Sequence, residues 1–333
     1  MFRPAKHAVL CSCLLLSLGC DRGGTADVVR GALGQPVGDY PNYDERVTLY
    51  ATNRARADPA AEGWPAYPKQ PPLQWNIDLN RAARAHSQDM HDTPCFQHPS
   101  CDGTDPFVRV QSYYTGPWTS FSENVATGKA IRDGVLAVHD WIFENGSPPG
   151  ETGHRDTIFS GMFTLVGNGF VPGGTASQNY WTQDFIGNPN AGTPPRLSDG
   201  VHFPATVADG VTITFGAMYY DGGGAAPTRI AVVVDGTTCY PLVLARGTAA
   251  AGAYETKLAP AAGCHPYFFL ATTGGVDATY PDTGALQVAI GVAAASACPP
   301  VVATRASSTC TTTGPEVMKS TSSPKNGRAL CTA

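Results

Sequence analysis

Charge is scarce in this sequence. Asp, Glu, Lys and Arg make up 15% of its 333 residues and leave a net charge of -5. There is thus no basic footprint for nucleic acid, and no nucleic-acid partner is expected. The same scarcity excludes a highly charged disordered chain. Long apolar runs are also missing, apart from one near the N-terminus that is too short to span a bilayer as a permanent helix. The cysteines contain no Cys-x-x-Cys pair, which argues against a zinc knuckle. Around Ser122 there is no Gly-x-Ser-x-Gly elbow to expose a nucleophile on a strained turn.

What the chain has in quantity is Gly (37) and Pro (28), a composition that points to loop-rich or β-rich architecture rather than a helical bundle. Its length favours about two domains. Residues 1–20 read as an export signal: Arg3 and Lys6 are basic, Ala8 to Leu18 is apolar but for Ser12 and Ser17, and Leu18-Gly19-Cys20 resembles a bacterial lipoprotein processing site. Membrane association is therefore expected only through a lipid anchor at Cys20, giving a cell-envelope lipoprotein, with cleavage to a free secreted chain as the alternative. Cys11, Cys13 and Cys20 fall in the leader, leaving seven cysteines in the exported body, where disulfides are admissible. Cys95 and Cys101 are close enough to staple a loop, Cys239 and Cys264 are placed to tie two strands, and Cys298, Cys310 and Cys331 leave one thiol over.

Residues 21–41 read as a tether. A first helix starts at a cap on Asn42 or Asp44, carries Val47, Leu49 and Tyr50 at helical spacing and stops at Asp58-Pro59. Leu79, Ala82, Ala83, His86 and Met90 trace one buried face, so Asn76 to Met90 is a second helix and His86 a core histidine. Val135, Leu136, Val138, Trp141 and Ile142 predict a third helix ending before Asn145-Gly146. Phe163 to Phe170 reads as a strand with glycines at close approaches, paired antiparallel with Tyr180 to Ile186 across a Pro172-Gly173-Gly174 turn. A Pro- and Gly-rich linker at 188–198 separates this part from a run of short strands: Val211 to Met218, Arg229 to Val234, Tyr240 to Leu244, Tyr254 to Leu258, Tyr267 to Ala271 and Leu286 to Val292. These predict an all-β, sandwich-like domain over 199–298, folding separately and joined by a protease-sensitive linker, before a Thr/Ser-rich tail at 299–333.

Seven short motifs, in one order, carry a family resemblance over residues 42–187. They are Asn53-x-x-Arg56, Leu73-x-Trp75-x-x-x-Leu79, Glu123-Asn124-Val125-Ala126, Trp141-x-x-Glu144, Gly153-His154-Arg155, Phe163-Thr164-x-Val166-Gly167 and Trp181-Thr182-Gln183-Asp184-Phe185. This stretch resembles the CAP superfamily (SCP/TAPS), whose members include cysteine-rich secretory proteins, antigen 5 and pathogenesis-related proteins. The resemblance implies an α+β fold, a three-layer α-β-α sandwich, here followed by the β-sandwich. It also implies a cleft tetrad of His98, Glu123, Glu144 and His154, with His91 the alternative for the first position. Taken singly, Glu123 reads as a cap, Glu144 as a solvated helix-end charge and His154 as a group satisfying a buried carbonyl. Together in one cleft, His98 and His154 would be ligands for zinc or another divalent cation, weakly bound because only two imidazoles are supplied, while the glutamates orient the rings or hold a water. The expected function is an exported, non-catalytic protein binding a small molecule, lipid or cation in that cleft. The alternatives are a metal-assisted or serine hydrolase acting on peptide or envelope material, and an adhesive protein binding through its β-sandwich.

Overall fold

The computed structural model describes residues 41–93, 95–173, 178–282, 284–292, 298 and 312–313. The expected leader with its Cys20, nearly all of the tether and of the Thr/Ser-rich tail, and the far side of the turn after Pro172 lie outside the described residues.

Helix α1 (Tyr43–Ala57) starts at a reciprocal cap: the Glu45 N–H donates to Asn42 Oδ1 and the Asn42 N–H to Glu45 Oε2, each at 3.0 Å. Asp58, held before Pro59, ends it. Helix α2 (Ile77–Asp92) is capped by Asn76, whose side chain accepts from the N–H groups of Asp78 and Leu79. Three shorter helices follow: α3 (Pro106–Gln111), α4 (Gly134–Phe143) and α5 (Gly153–Phe159). The first sheet has the order β1-β3-β4-β2, from β1 (Gln74–Trp75), β2 (Ser120–Gly128), β3 (Leu165–Val171) and β4 (Asn179–Gly187).

Strand alternation assigns the two faces of this sheet. Gly167 and Gly169 lie against α2, where a Cβ would stand 2.1 Å from Asn80 N and 2.2 Å from Ala83 C, so only glycine admits the helix this closely. Asn168, between them, turns to the other face and donates to the Glu45 carbonyl of α1. The core on that side gathers Leu49, Trp141, Phe159, Val166, Trp181 and Phe185. Helix, sheet and helices form the expected three layers.

The second unit is a β-sandwich. One sheet runs β10-β11-β7-β5, from β5 (Leu197–Phe203), β7 (Ile213–Tyr220), β10 (Val243–Thr248) and β11 (Ala251–Leu258). The other runs β15-β9-β8-β12-β14-β6, from β6 (Thr206–Val207), β8 (Arg229–Val234), β9 (Thr238–Pro241), β12 (Gly263–Thr273), β14 (Leu286–Ile290) and β15 (Thr312–Thr313), with β13 (Val276–Tyr280) on β12. Ile213, Phe215, Ala217 and Tyr219 alternate inward to meet Val232, Tyr267, Phe269 and Val288 of the facing sheet.

Three expectations need correcting. First, the Tyr240 to Leu244 strand is two strands in different sheets, because the chain crosses between them at Pro241-Leu242. Second, Cys264 pairs with Cys298, not with Cys239, although Cys239 is also disulfide-bonded. Strand β8 lies between β9 and β12 and puts Cys239 level with Phe268, four residues along β12 from Cys264, so the two cysteines are more than about 10 Å apart and beyond disulfide reach.

Third, the two units share a core. The outward face of β7, β5 and β11 places Met218, Val201 and Ala253 against Tyr43, Val47, Tyr50 and Ala57 of α1. Helix α1 therefore lies between two sheets, and 14 of its 15 residues are buried. Tyr50 Oη donates to Glu255 Oε1 at 2.8 Å, Arg54 Nε lies 3.0 Å from the same oxygen, and Tyr43 Oη donates to the His202 carbonyl at 2.9 Å. The second unit's first strand begins at Leu197, inside the expected linker.

Candidate functional site

Loop, strand and two helix ends bring the four tetrad residues around one cleft of about 360 Å³. His98 sits in the loop closed by the Cys95–Cys101 disulfide, with Cα atoms 6.0 Å apart. That loop is tied down again where the Cys101 N–H donates to Asp89 Oδ2 at 2.7 Å. From it, half-exposed, His98 points Nδ1 at Glu123 Oε1, 2.9 Å away. His91 hydrogen-bonds its neighbour Asp92 and is not part of the cleft lining.

Glu123 lies on β2 with its side chain almost wholly buried, a position that needs compensation. Arg109 of α3 supplies it. One guanidinium nitrogen pairs with Glu123 Oε2, and another donates to the His98 carbonyl and Ser100 Oγ, both at 3.1 Å. Across the β2–β4 ladder, Glu123 stands opposite Asp184, which is fully buried. Burial, and then the charge of Glu123, hold the Asp184 carboxyl well above the usual carboxylate range. His86 lies beneath, fully buried, its Nε2 donating to the Gln97 carbonyl at 3.0 Å and standing 4.0 Å from Glu123 Oε1. Burial lowers its pKa, which keeps it neutral.

The second pair is built on a helix end. Glu144 closes α4 with φ 54, a left-handed conformation that usually falls to glycine. This turn sends Glu144 Oε2 to His154 Nδ1 at 2.6 Å, while Oε1 accepts the Arg155 N–H at 3.0 Å. Arg155 in turn donates to the Ile142 carbonyl at 3.0 Å and stacks 3.8 Å over the Trp64 ring, fixing α5 against the end of α4. Between the two pairs, Ser122 Oγ and Thr157 Oγ1 hydrogen-bond each other at 2.8 Å. The Ser122 hydroxyl is thus partnered by threonine, not by an imidazole.

In both pairs the carboxylate holds Nδ1 and fixes the ring, an arrangement common behind metal-binding histidines. Nε2 of His98 and of His154 has no protein partner among the described residues. The donor set fits a cation held by two imidazoles and solvent. Among the described residues no group of three or more His, Cys, Asp or Glu side chains is placed to hold a metal.

Sequence reasoning missed Arg109 and the depth of Asp184. Arg109 lies in a short helix within a stretch that has no readable period, while Asp184 was visible only as part of a motif. Their roles depend on pairings across the fold.

Residues 49–185 match the model of the cysteine-rich secretory protein family, CAP. A curated relative, the uncharacterized protein YkwD of Bacillus subtilis, is 36% identical over 116 residues, 35% of this chain and 40% of its own length. The chain thus spans about two fifths of that relative. Among solved structures, an extracellular protein containing an SCP domain from Bacillus anthracis is 26% identical over 43% of this chain and 40% of that one, with a TM-score of 0.33. An outer surface protein of Borrelia burgdorferi is 14% identical over 46% of this chain and 98% of its own, also with a TM-score of 0.33. The segment from residue 49 to residue 185 therefore belongs to the cysteine-rich secretory protein (CAP) family.

Proposed function

We propose that this CAP-domain protein works outside the cytoplasm as a binding protein whose cleft takes a small ligand or a divalent cation at the imidazoles of His98 and His154. The observation that carries the reading is the pairing of each Nδ1 with a glutamate, which leaves both Nε2 atoms without a protein partner among the described residues, beside one shared cleft. A bound cation would supply a positive charge to polarise or anchor an anionic group. His98 and His154 would hold it, while Glu123 and Glu144 keep the rings oriented and Arg109 keeps Glu123 in place. Two protein donors give a weak site open to solvent. Export is supported by the N-terminal leader and by disulfides such as Cys95–Cys101 and Cys264–Cys298, which persist in oxidising compartments. A lipid anchor at Cys20 is part of this proposal.

Titration calorimetry with zinc tests it. Wild-type protein is expected to take up about one ion in the micromolar to millimolar range, more weakly as the pH is lowered and protons compete for the imidazoles. Equal uptake by a His98→Ala, His154→Ala double variant would remove the site.

A further inference from the structure

Away from the histidine cleft, the two units and the segment joining them enclose a second cavity of about 300 Å³. The CAP unit contributes Gln70 and Gln74, the joining segment Thr193 and Pro194, and the β-sandwich Tyr220 and Gly222. Its size is at the small end of the roughly 300–1,000 Å³ range of small-molecule sites, and junctions between domains are where such sites concentrate. Pro71, Pro72 and Pro194 stiffen the walls, and Gln74 Nε2 ties the joining segment in place by donating to the carbonyls of Ala191 and Gly192 at 3.1 and 3.2 Å.

The charge inventory narrows the occupant. Apart from the Tyr220 phenol, Arg56 is the one ionisable group in the lining among the described residues, and its guanidinium is already engaged. It donates to the carbonyls of Ile158 at 2.6 Å, Ser160 at 2.7 Å and Pro71 at 3.2 Å. Among the described residues an anionic ligand finds no free cation here, and a cationic one finds no carboxylate. In contrast, the side chains of Gln70, Thr193 and Tyr220 have no hydrogen-bond partner among the described residues, and the amide oxygen of Gln74 is free to accept. A hydrocarbon chain would leave these groups dry and unpaired, a costly outcome. Hydroxyls that both donate and accept would satisfy them, and the half-buried ring of Tyr220 offers flat apolar surface for C–H faces.

We propose that this junction cavity binds an uncharged saccharide unit. It is a site that neither unit forms alone, because Gln70 and Gln74 stand on one side and Tyr220 on the other.

The test uses the full chain, with saturation-transfer NMR and calorimetry against neutral gluco-, manno- and N-acetylglucosamine oligomers and a matching set of uronic-acid oligomers. Neutral oligomers are expected to bind with a dissociation constant of about 1 mM or tighter. A Gln70→Ala, Tyr220→Phe double variant should weaken that binding about tenfold or more, with an unchanged melting curve and unchanged zinc uptake at the histidine cleft. No binding across the neutral set, a preference for the charged set, or binding indifferent to the double variant would each overturn the proposal. An unfolded variant is answered by Thr193→Val, which removes one hydroxyl from an exposed position and is expected to weaken binding in the same direction; unchanged binding there also counts against the proposal.

Discussion

The side-chain amide of Asn53 donates to Asp199 Oδ2 at 2.7 Å, joining the first helix of the CAP unit to the first strand of the β-sandwich. Asp199 is buried at a β-bulge with φ 54, and burial pushes its carboxyl up to about 7. The folded chain therefore keeps a proton that the unfolded chain releases near pH 4, and Asp199 costs stability as pH rises from about 4 to 7, with no further change above. Asp184 acts in the same sense, whereas His202, pushed down to about 3 by burial, acts oppositely as pH falls. The difference between wild type and Asp199→Asn isolates the share of Asp199. Denaturant melts across this window should show that difference change by roughly 3–4 kcal/mol. Asparagine also tolerates the left-handed backbone.

A chain ending at Gly187 is expected to lose cooperative folding. It would leave Tyr43, Val47 and Tyr50 without Met218, Val201 and Ala253. Each side chain uncovered costs about 1.5–3 kcal/mol, a sum comparable with the whole stability of a small domain. Thermal denaturation followed by near-ultraviolet circular dichroism checks this; a sharp transition would mean that the CAP unit stands alone.

Arg109→Ala should destabilise by roughly 3–5 kcal/mol, since it strands the buried Glu123 without its cation. Glu123→Gln in the same background is expected to restore part of the loss. A double-mutant cycle in urea measures the coupling, and strict additivity would contradict the pairing.

Replacing Cys95 and Cys101 together by serine should cost about 2–3 kcal/mol by the chain-entropy account of so short a loop. Zinc uptake should fall further than stability does, because His98 loses its anchors. Paired calorimetry and melting curves separate the two effects.

The first two helices were legible because local signals agreed: Asn42 with Glu45, Asn76 before an apolar face, and Asp58-Pro59 as a stop. That His98, Glu123, Glu144 and His154 line one cleft was legible only through motifs, since nothing in spacing alone brings residue 98 to residue 123. Strand β5 was missed: its Asp199-Gly200 pair forms a bulge, with Gly200 seated against the Phe269 and Tyr280 rings. The hairpin from β12 to β13 was missed although its Gly274-Gly275 turn, with φ of 58 and 79, is itself a hairpin signal. The second apolar face of α1 escaped notice because Val47 and Tyr50 satisfy a helical period whichever neighbour covers them.

That helix also sets an order of events as the chain is made. Residues 43–57 emerge early, yet the strand that covers Tyr50, ending at Leu258, is some two hundred residues away. At about 5–20 residues per second this delay is roughly 10–40 s, during which one side of the first helix has only water or a chaperone to face.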